Sequence, residues 1–427
     1  MSHSVGGEAV PAMPWRVIWA AAIGNGLITY DFTVYSFSAV IIGKLFFPAD
    51  NPMASLLLSL LTFGAGFALR PIGALLIGHL ADRKGRKPAL LLSIALMLLG
   101  TGVIAFAPTY DAIGVSAMLL MVGARLIQGF AAGGEIGVAS VVLMELAPRA
   151  QRCFIVSWRS SSQVLAALLG ALVGAALTFS LSPDAMLAWG WRLPFILGLL
   201  LGPVGWYLRY HLIEQASTAP QRPSLKRVLT QRVRTLCLGI ALMAAPTSGI
   251  YLLVYYMPTY LVRSLGLSSG VSLLSACASS LAIVITLPLL ARLADRQVGR
   301  KPTQYATMLA SMLLLFPVFA LLVEGVREVA SILLIAGYSA LLMGNNAVMT
   351  VMMVEAFAVQ ERATGTSIMY SVGVTLFGGF CPFIVTWLIH ATGSLMVPAW
   401  YLLGALCVSL YALYRFPENP RPADSAI

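Results

Sequence analysis

Charge is what this chain has least of. Asp, Glu, Lys and Arg together fill 10% of its 427 positions, against about 25% in an ordinary soluble domain. That shortage excludes a fold whose whole surface faces water. Histidine occurs at His3, His79, His211 and His390 only, too scattered to hold a metal or to serve a nucleophile. The five cysteines, Cys153, Cys237, Cys277, Cys381 and Cys407, are odd in number and show neither CxxC nor zinc-ligand spacing, so they read as packing thiols. No HExxH, GxSxG or Walker sequence is present, which removes the motif-borne routes to zinc hydrolysis, serine hydrolysis and ATP use. The chain is therefore expected to be no enzyme and to need no cofactor or metal.

What it has instead is apolar length. Hydrophobic residues make up 59% of the sequence and mean hydropathy is +0.87. A helix needs about 20 residues to cross a hydrocarbon layer ~30 Å thick, and apolar runs of that length recur about a dozen times. They do not alternate as barrel strands do, and backbone groups in lipid must be satisfied within their own segment, so the runs are expected to be helices. The expected spans are 15–43, 53–80, 88–107, 113–145, 152–180 and 189–210, then 232–262, 268–293, 302–323, 329–356, 362–390 and 396–416. The first is read as retained, because no charged n-region and small-residue cleavage site accompany it. Residues 211–231 carry Pro220, Pro223 and a basic cluster without a sustained apolar run, which reads as a cytoplasmic linker. The expected fold is an all-α polytopic membrane protein: twelve transmembrane helices in two pseudo-symmetric six-helix bundles, residues 1–210 and 232–427.

A repeat supports the duplication. The charged turn from Gly78 to Pro88, with Asp82 and Arg86, returns half a chain later with one inserted residue as Leu293 to Pro302, with Asp295 and Arg300. Glu145 to Arg152 is echoed by Glu355 to Arg362, each closing the fourth run of its half. Net charge is +11, but the basic residues sort by side and do not form a nucleic-acid patch. They crowd the turns after the even-numbered runs, whereas the other side holds Lys44, Arg192, Arg263 and Arg327. By the positive-inside rule the charged turns and both termini are expected to be cytoplasmic.

These residues resemble the major facilitator superfamily, through the two charged turns and Arg125 to Gly129 in the fourth run. More narrowly, Tyr30-Asp31-Phe32, Gly43 to Pro48, Gln128 to Glu135 and Trp189 to Phe195 look like the metabolite:proton symporters. That resemblance implies a carrier of citrate and related carboxylates, α-ketoglutarate, shikimate, or proline and betaine. Members that take citrate often have a glutamate three residues before the aspartate of the first helix; here that position is Ile28.

A charge at the centre of a membrane helix costs about 2.5–3.5 kcal/mol on insertion scales, so the few present are functional candidates. Asp31, Arg70, Arg125, Glu135 and Arg159 all fall in the first half. Arg125, Gln128, Ala132 and Glu135 share one helical face, expected to line a cavity, beside a stripe of Gly129, Gly133 and Gly137 that allows close helix approach. Asp31 is the candidate for proton coupling, pairing with Arg125 in one state and losing it in another; a fixed salt bridge is the plain alternative. Glu135 is a second titratable candidate or a structural partner for a nearby arginine.

Arg125 and Arg159 are candidate anion ligands because a guanidinium offers a bidentate fork to a carboxylate. For Arg159 the alternatives are pairing with Asp31 or Glu135, or a place at the helix end. Gln163, Tyr251, Tyr255, Asn345, Asn346 and Tyr370 supply uncharged polarity for a small solute. Asp82, Arg86, Asp295, Arg300, Glu145 and Glu355 are expected to form a cytoplasmic gate. The expectation is a proton-coupled symporter of a small organic acid in a bacterial inner membrane, working as a monomer in lipid, with protons and an organic anion as partners and no nucleic acid. The alternatives are a symporter of a zwitterionic osmolyte such as proline or betaine, and a proton-coupled drug exporter.

Overall fold

The computed structural model describes residues 25–26, 29–84, 86–133, 140, 143–144, 147–212, 225–358 and 361–417. Among these, ten helices are long and apolar enough to cross a membrane. In chain order the main helices are α1 (29–37, continuing as Ala39–Phe46), α2 (Pro52–Ile77), α3 (Pro88–Phe106), α4 (Val115–Gly133), α5 (Arg152–Ser180) and α6 (Leu193–Leu212). The second set is α7 (Val233–Arg263), α8 (Ser269–Arg296), α9 (Arg300–Val323), α10 (Glu328–Glu355), α11 (Thr364–Thr392) and α12 (Val397–Arg415). These bounds follow the apolar runs closely. Most of the expected linker lies outside the described residues; its described end, Leu225–Gln231, is a short helix.

The two sets meet along two seams, α5 against α8 and α2 against α11. Within the first bundle α2 and α4 approach backbone to backbone. A Cβ at Gly129 would run into the Gly66 carbonyl, and one at Gly133 into the Arg70 carbonyl, which is the close approach that small residues at four-residue spacing permit. Gly137 lies outside the described residues. The Trp189 to Phe195 stretch fastens three helix ends. Trp191 is fully buried edge-on to Phe46, Arg192 donates to the Ala107 carbonyl at the end of α3, and Tyr30 donates to the Pro194 carbonyl.

Three wide π-type turns interrupt the second bundle, at Tyr251–Tyr256, Ala294–Val298 and Thr375–Gly379. Each precedes a proline, namely Pro258, Pro302 and Pro382. A proline has no N–H for the carbonyl four residues back; for Pro258 and Pro382 those carbonyls belong to Val254 and Gly378, inside the turns, whereas Pro302 stands in the first turn of α9, after the chain breaks at Gly299 (φ 93°). The wider turns accommodate the Val254 and Gly378 carbonyls.

Gly129→Val is expected to clash with backbone that cannot rotate away. Overpacking costs about 1–3 kcal/mol, so thermal unfolding in detergent should fall by several degrees, while Gly123→Ala, which meets open space, should leave it unchanged.

Candidate functional site

Asp31, on α1, is buried, and its neighbours come from α3 and α4. Its Oδ2 accepts from Thr101 Oγ1 and from Gln128 Nε2 at 3.2 Å. Gln128 also donates to Thr101 Oγ1 at 3.0 Å, and its Oε1 accepts from Arg125 Nη1 at 2.7 Å. The expected pairing of Asp31 with Arg125 is therefore not direct: the Gln128 amide stands between them, using both its ends. Asp31 Oδ1 and Arg125 Nε and Nη2 have no hydrogen-bond partner among the described residues.

Aromatic rings supply much of what surrounds Arg125. Its guanidinium carbon lies 4.2 Å from the Phe32 ring centroid and 4.5 Å from that of Tyr35, within cation–π range. Arg70, on α2, stacks on the same Phe32 at 4.5 Å and on Phe67 at 4.0 Å. Phe32 thus touches both guanidinium groups.

Beside Phe32 lies a cavity of about 60 Å³. The first bundle lines it with Asn25, Thr29, Phe32, Arg70, Ser160 and Gln163; the second contributes Tyr251, Tyr255, Asn346 and Tyr370 together with an apolar wall that includes Met243 and Ile250. Gln163 Nε2 reaches across to Tyr370 Oη at 3.4 Å and to Asn25 Oδ1 at 3.3 Å. Tyr251 and Tyr255 meet edge to face at 5.1 Å. They stand on the π-type turn before Pro258, where sequence periodicity gave no warning of a bend.

Five of the expected substrate ligands thus face one cavity: Gln163, Tyr251, Tyr255, Asn346 and Tyr370. Three do not. Asn345 turns away to donate to Thr307 of α9, an internal tie that satisfies its amide. Arg125 and Gln128 serve Asp31, so the polar face of α4 supports a buried network and not the cavity wall. Arg159 is fully buried behind the wall, with its guanidinium 5.7 Å from the Tyr370 ring; this rules out a place at the helix end. Conversely, Arg70 was visible as an intramembrane charge but was missing from the expected site. Only the helix packing that turns it toward Tyr251 brings it to the wall. Glu135 and Glu145 lie outside the described residues, as do the side chains of Asp82 and Arg86.

The remaining gate residues do meet. Glu355 of α10 takes Arg152 of α5 at 2.8 Å on one oxygen and Arg300 of α9 on the other. Asp295 accepts the backbone N–H groups of Cys153 at 3.3 Å and Phe154 at 3.0 Å, the first amides of α5, which have no partner within the helix. The Arg152–Glu355 pair and the Asp295 contacts cross between the bundles at the end that carries the charged turns, while Arg300 holds Glu355 from within the second bundle. Beyond the cavity in the other direction, Ser36 donates to the Tyr255 carbonyl at 3.1 Å and Thr375 to the Phe67 carbonyl at 2.9 Å. Contacts between the bundles thus lie on both sides of the cavity.

Residues 20–345 match the Major Facilitator Superfamily. The chain belongs to that superfamily. It is 35% identical over 390 residues to a citrate-proton symporter of Salmonella typhi, with 90% of each chain covered. It is 32% identical to a proline/betaine transporter of Escherichia coli (strain K12), covering 96% of this chain and 85% of that one. A crystal structure of a D-xylose-proton symporter shares the fold at a TM-score of 0.75, with 20% identity and 95% and 98% of the two chains covered. The protein is a multi-pass membrane protein of this superfamily.

Glu355→Gln weakens both of its ion pairs and should favour opening at the charged-turn end. Cys153, fully buried there, is then expected to react with a maleimide several-fold faster, measured by mass spectrometry against the exposed Cys237 as internal standard.

Proposed function

We propose that this protein is a secondary active symporter that imports a small organic acid with one or more protons across a bacterial inner membrane. The two bundles, 1–210 and 232–427, rock about the central cavity, with the charged turns and both termini cytoplasmic. The observation that carries the reading is an imbalance of buried charge. Arg70, Arg125 and Arg159 are each at most 5% exposed, and among the described residues Asp31 is their one buried carboxylate in the bundle interior. Arg70 lines the cavity and no described carboxylate does. A site of that sign attracts an anion.

The same charges give coupling. A proton on Asp31 removes the one negative charge that the described residues place near the two guanidinium groups that share Phe32, and the centre becomes more attractive to an anion. Two unit charges about 10 Å apart at an effective dielectric of about 20 interact by about 1.7 kcal/mol, roughly an order of magnitude in affinity. Proton and acid then favour one another's binding reciprocally. The driving force is the proton gradient, whose electrical part is worth about 2.3 kcal/mol per charge per 100 mV.

A second reading, symport of a zwitterionic osmolyte, draws on Tyr251, Tyr255 and Tyr370 in the cavity wall, whose rings suit a quaternary ammonium, and on the proline/betaine relatives.

Uptake into proteoliposomes under an imposed pH gradient, across carboxylic acids and glycine betaine, tests the choice. Gradient-driven uptake of acids is expected; uptake of betaine alone would favour the second reading, and gradient-independent uptake would sink both. Asp31→Asn is expected to retain counterflow exchange and to lose proton-driven accumulation, whereas equal loss of both would make Asp31 structural. Arg70→Gln removes the anion's direct partner. Losing one charged contact costs about 2–5 kcal/mol, so KM for uptake should rise at least thirty-fold.

A further inference from the structure

We propose that Arg159, with Ser160 of the cavity wall, forms a second carboxylate subsite closed by Tyr370, and that the transported acid is a dicarboxylate held between this subsite and Arg70. The proposal rests on the anion-symport reading above and narrows its substrate.

Arg159 is 0% exposed, yet Nε, Nη1 and Nη2 all have no hydrogen-bond partner among the described residues. The Ser160 and Ser161 hydroxyls, also buried, are unpartnered too. A guanidinium has five donors and no acceptor, and with Nε, Nη1 and Nη2 all unpartnered it lacks several acceptors, which a carboxylate supplies two at a time. Buried polar groups are nearly always hydrogen-bonded, and a group that is not points to a ligand or to strain. Of the two hydroxyls, Ser160 is the one that lines the cavity, so the donors offered to a carboxylate are those of Arg159 and Ser160.

Their place in the wall gives access. Ser160 and Gln163, on the same helix as Arg159, line the cavity, and so does Tyr370, the ring that covers Arg159. That cover is weakly held. Its 5.7 Å cation–π contact is near the outer limit of such interactions, and its hydroxyl has the long 3.4 Å hydrogen bond from Gln163. The cavity of about 60 Å³ has room for about two waters, too little for a dicarboxylic acid. Moving Tyr370 aside both enlarges it and uncovers the guanidinium.

The placement of the arginines, more than their number, points to two acid groups. Arg70 in the cavity wall and Arg159 behind Tyr370 have no described carboxylate partner, one for each end of a dianion, while Arg125 is bonded to Gln128 and stacked on Phe32. A third carboxylate would meet the apolar wall of Met243, Ile250 and Val374 without a cation.

The test uses the full chain in proteoliposomes with an inward proton gradient and compares succinate, glutarate, butyrate and tricarballylate as competitors of labelled succinate uptake. A dicarboxylate is expected to inhibit at least ten-fold more strongly than butyrate and tricarballylate. Arg159→Gln should lower the dicarboxylate-to-butyrate ratio at least ten-fold, with Arg159→Lys intermediate. Equal loss for mono- and dicarboxylates in Arg159→Gln would mean a structural arginine and overturn the proposal. The wild-type series needs no variant, and a ratio near one, or tricarballylate as strong as succinate, overturns it as well. Absence of proton-driven uptake of any acid, or uptake of betaine alone, would instead overturn the reading on which the proposal rests.

Discussion

Three guanidinium groups in one low-dielectric interior are the constraint to which the rest of this structure answers. Each would be costly there alone, and the fold meets the cost differently for each. Arg125 is given aromatic faces and one end of the Gln128 amide. Arg70 is given two phenylalanine rings and an edge on the cavity. Arg159 is given a tyrosine cover and no hydrogen-bonding partner among the described residues. The series runs from a guanidinium partly satisfied by the Gln128 amide and by ring faces to one with no hydrogen-bond partner among the described residues.

The architecture was legible in the sequence because it depends on quantities that a sequence carries directly: apolar length, charge at the turns, and small residues at helical spacing. Gly129 and Gly133 are a clear instance, since their spacing predicts a close approach to a neighbouring helix, which the structure identifies as α2. The repeat was equally legible, and Asp295, Arg300 and Glu355 do converge at one end of the bundles. The site was legible only in part. Residue type marked Asp31, Gln163 and Tyr370 as candidates, but type cannot say which of two neighbours faces inward. Asn345 and Asn346 are adjacent, and rotation by one residue sends the first to Thr307 and the second to the cavity. Arg70 and Arg125 are likewise indistinguishable as intramembrane arginines until the packing of α2 on α4 sets one at the wall and one behind Phe32.

The two bundles are unequal in kind. The intramembrane charges are in the first, whereas the π-type turns described here, each before a proline, are in the second. One bundle supplies the field and the other supplies places where a helix can change its pitch. Tyr251 and Tyr255 ride on one such turn and Thr375 on another, so the uncharged wall of the cavity is built from the more deformable half.

Helix α5 joins the two ends of this arrangement. Its first amides are held by Asp295, its Arg152 by Glu355, and a few residues further along its Ser160 and Gln163 stand at the cavity with Arg159 behind the wall. At 1.5 Å per residue, the six residues from Cys153 to Arg159 span about 9 Å of rigid helix. A latch and a binding wall that share so short a lever cannot move independently. Whatever frees the helix end must also tilt the polar groups that line the cavity, so that a change at the latch and a change in the shape of the cavity become one mechanical event.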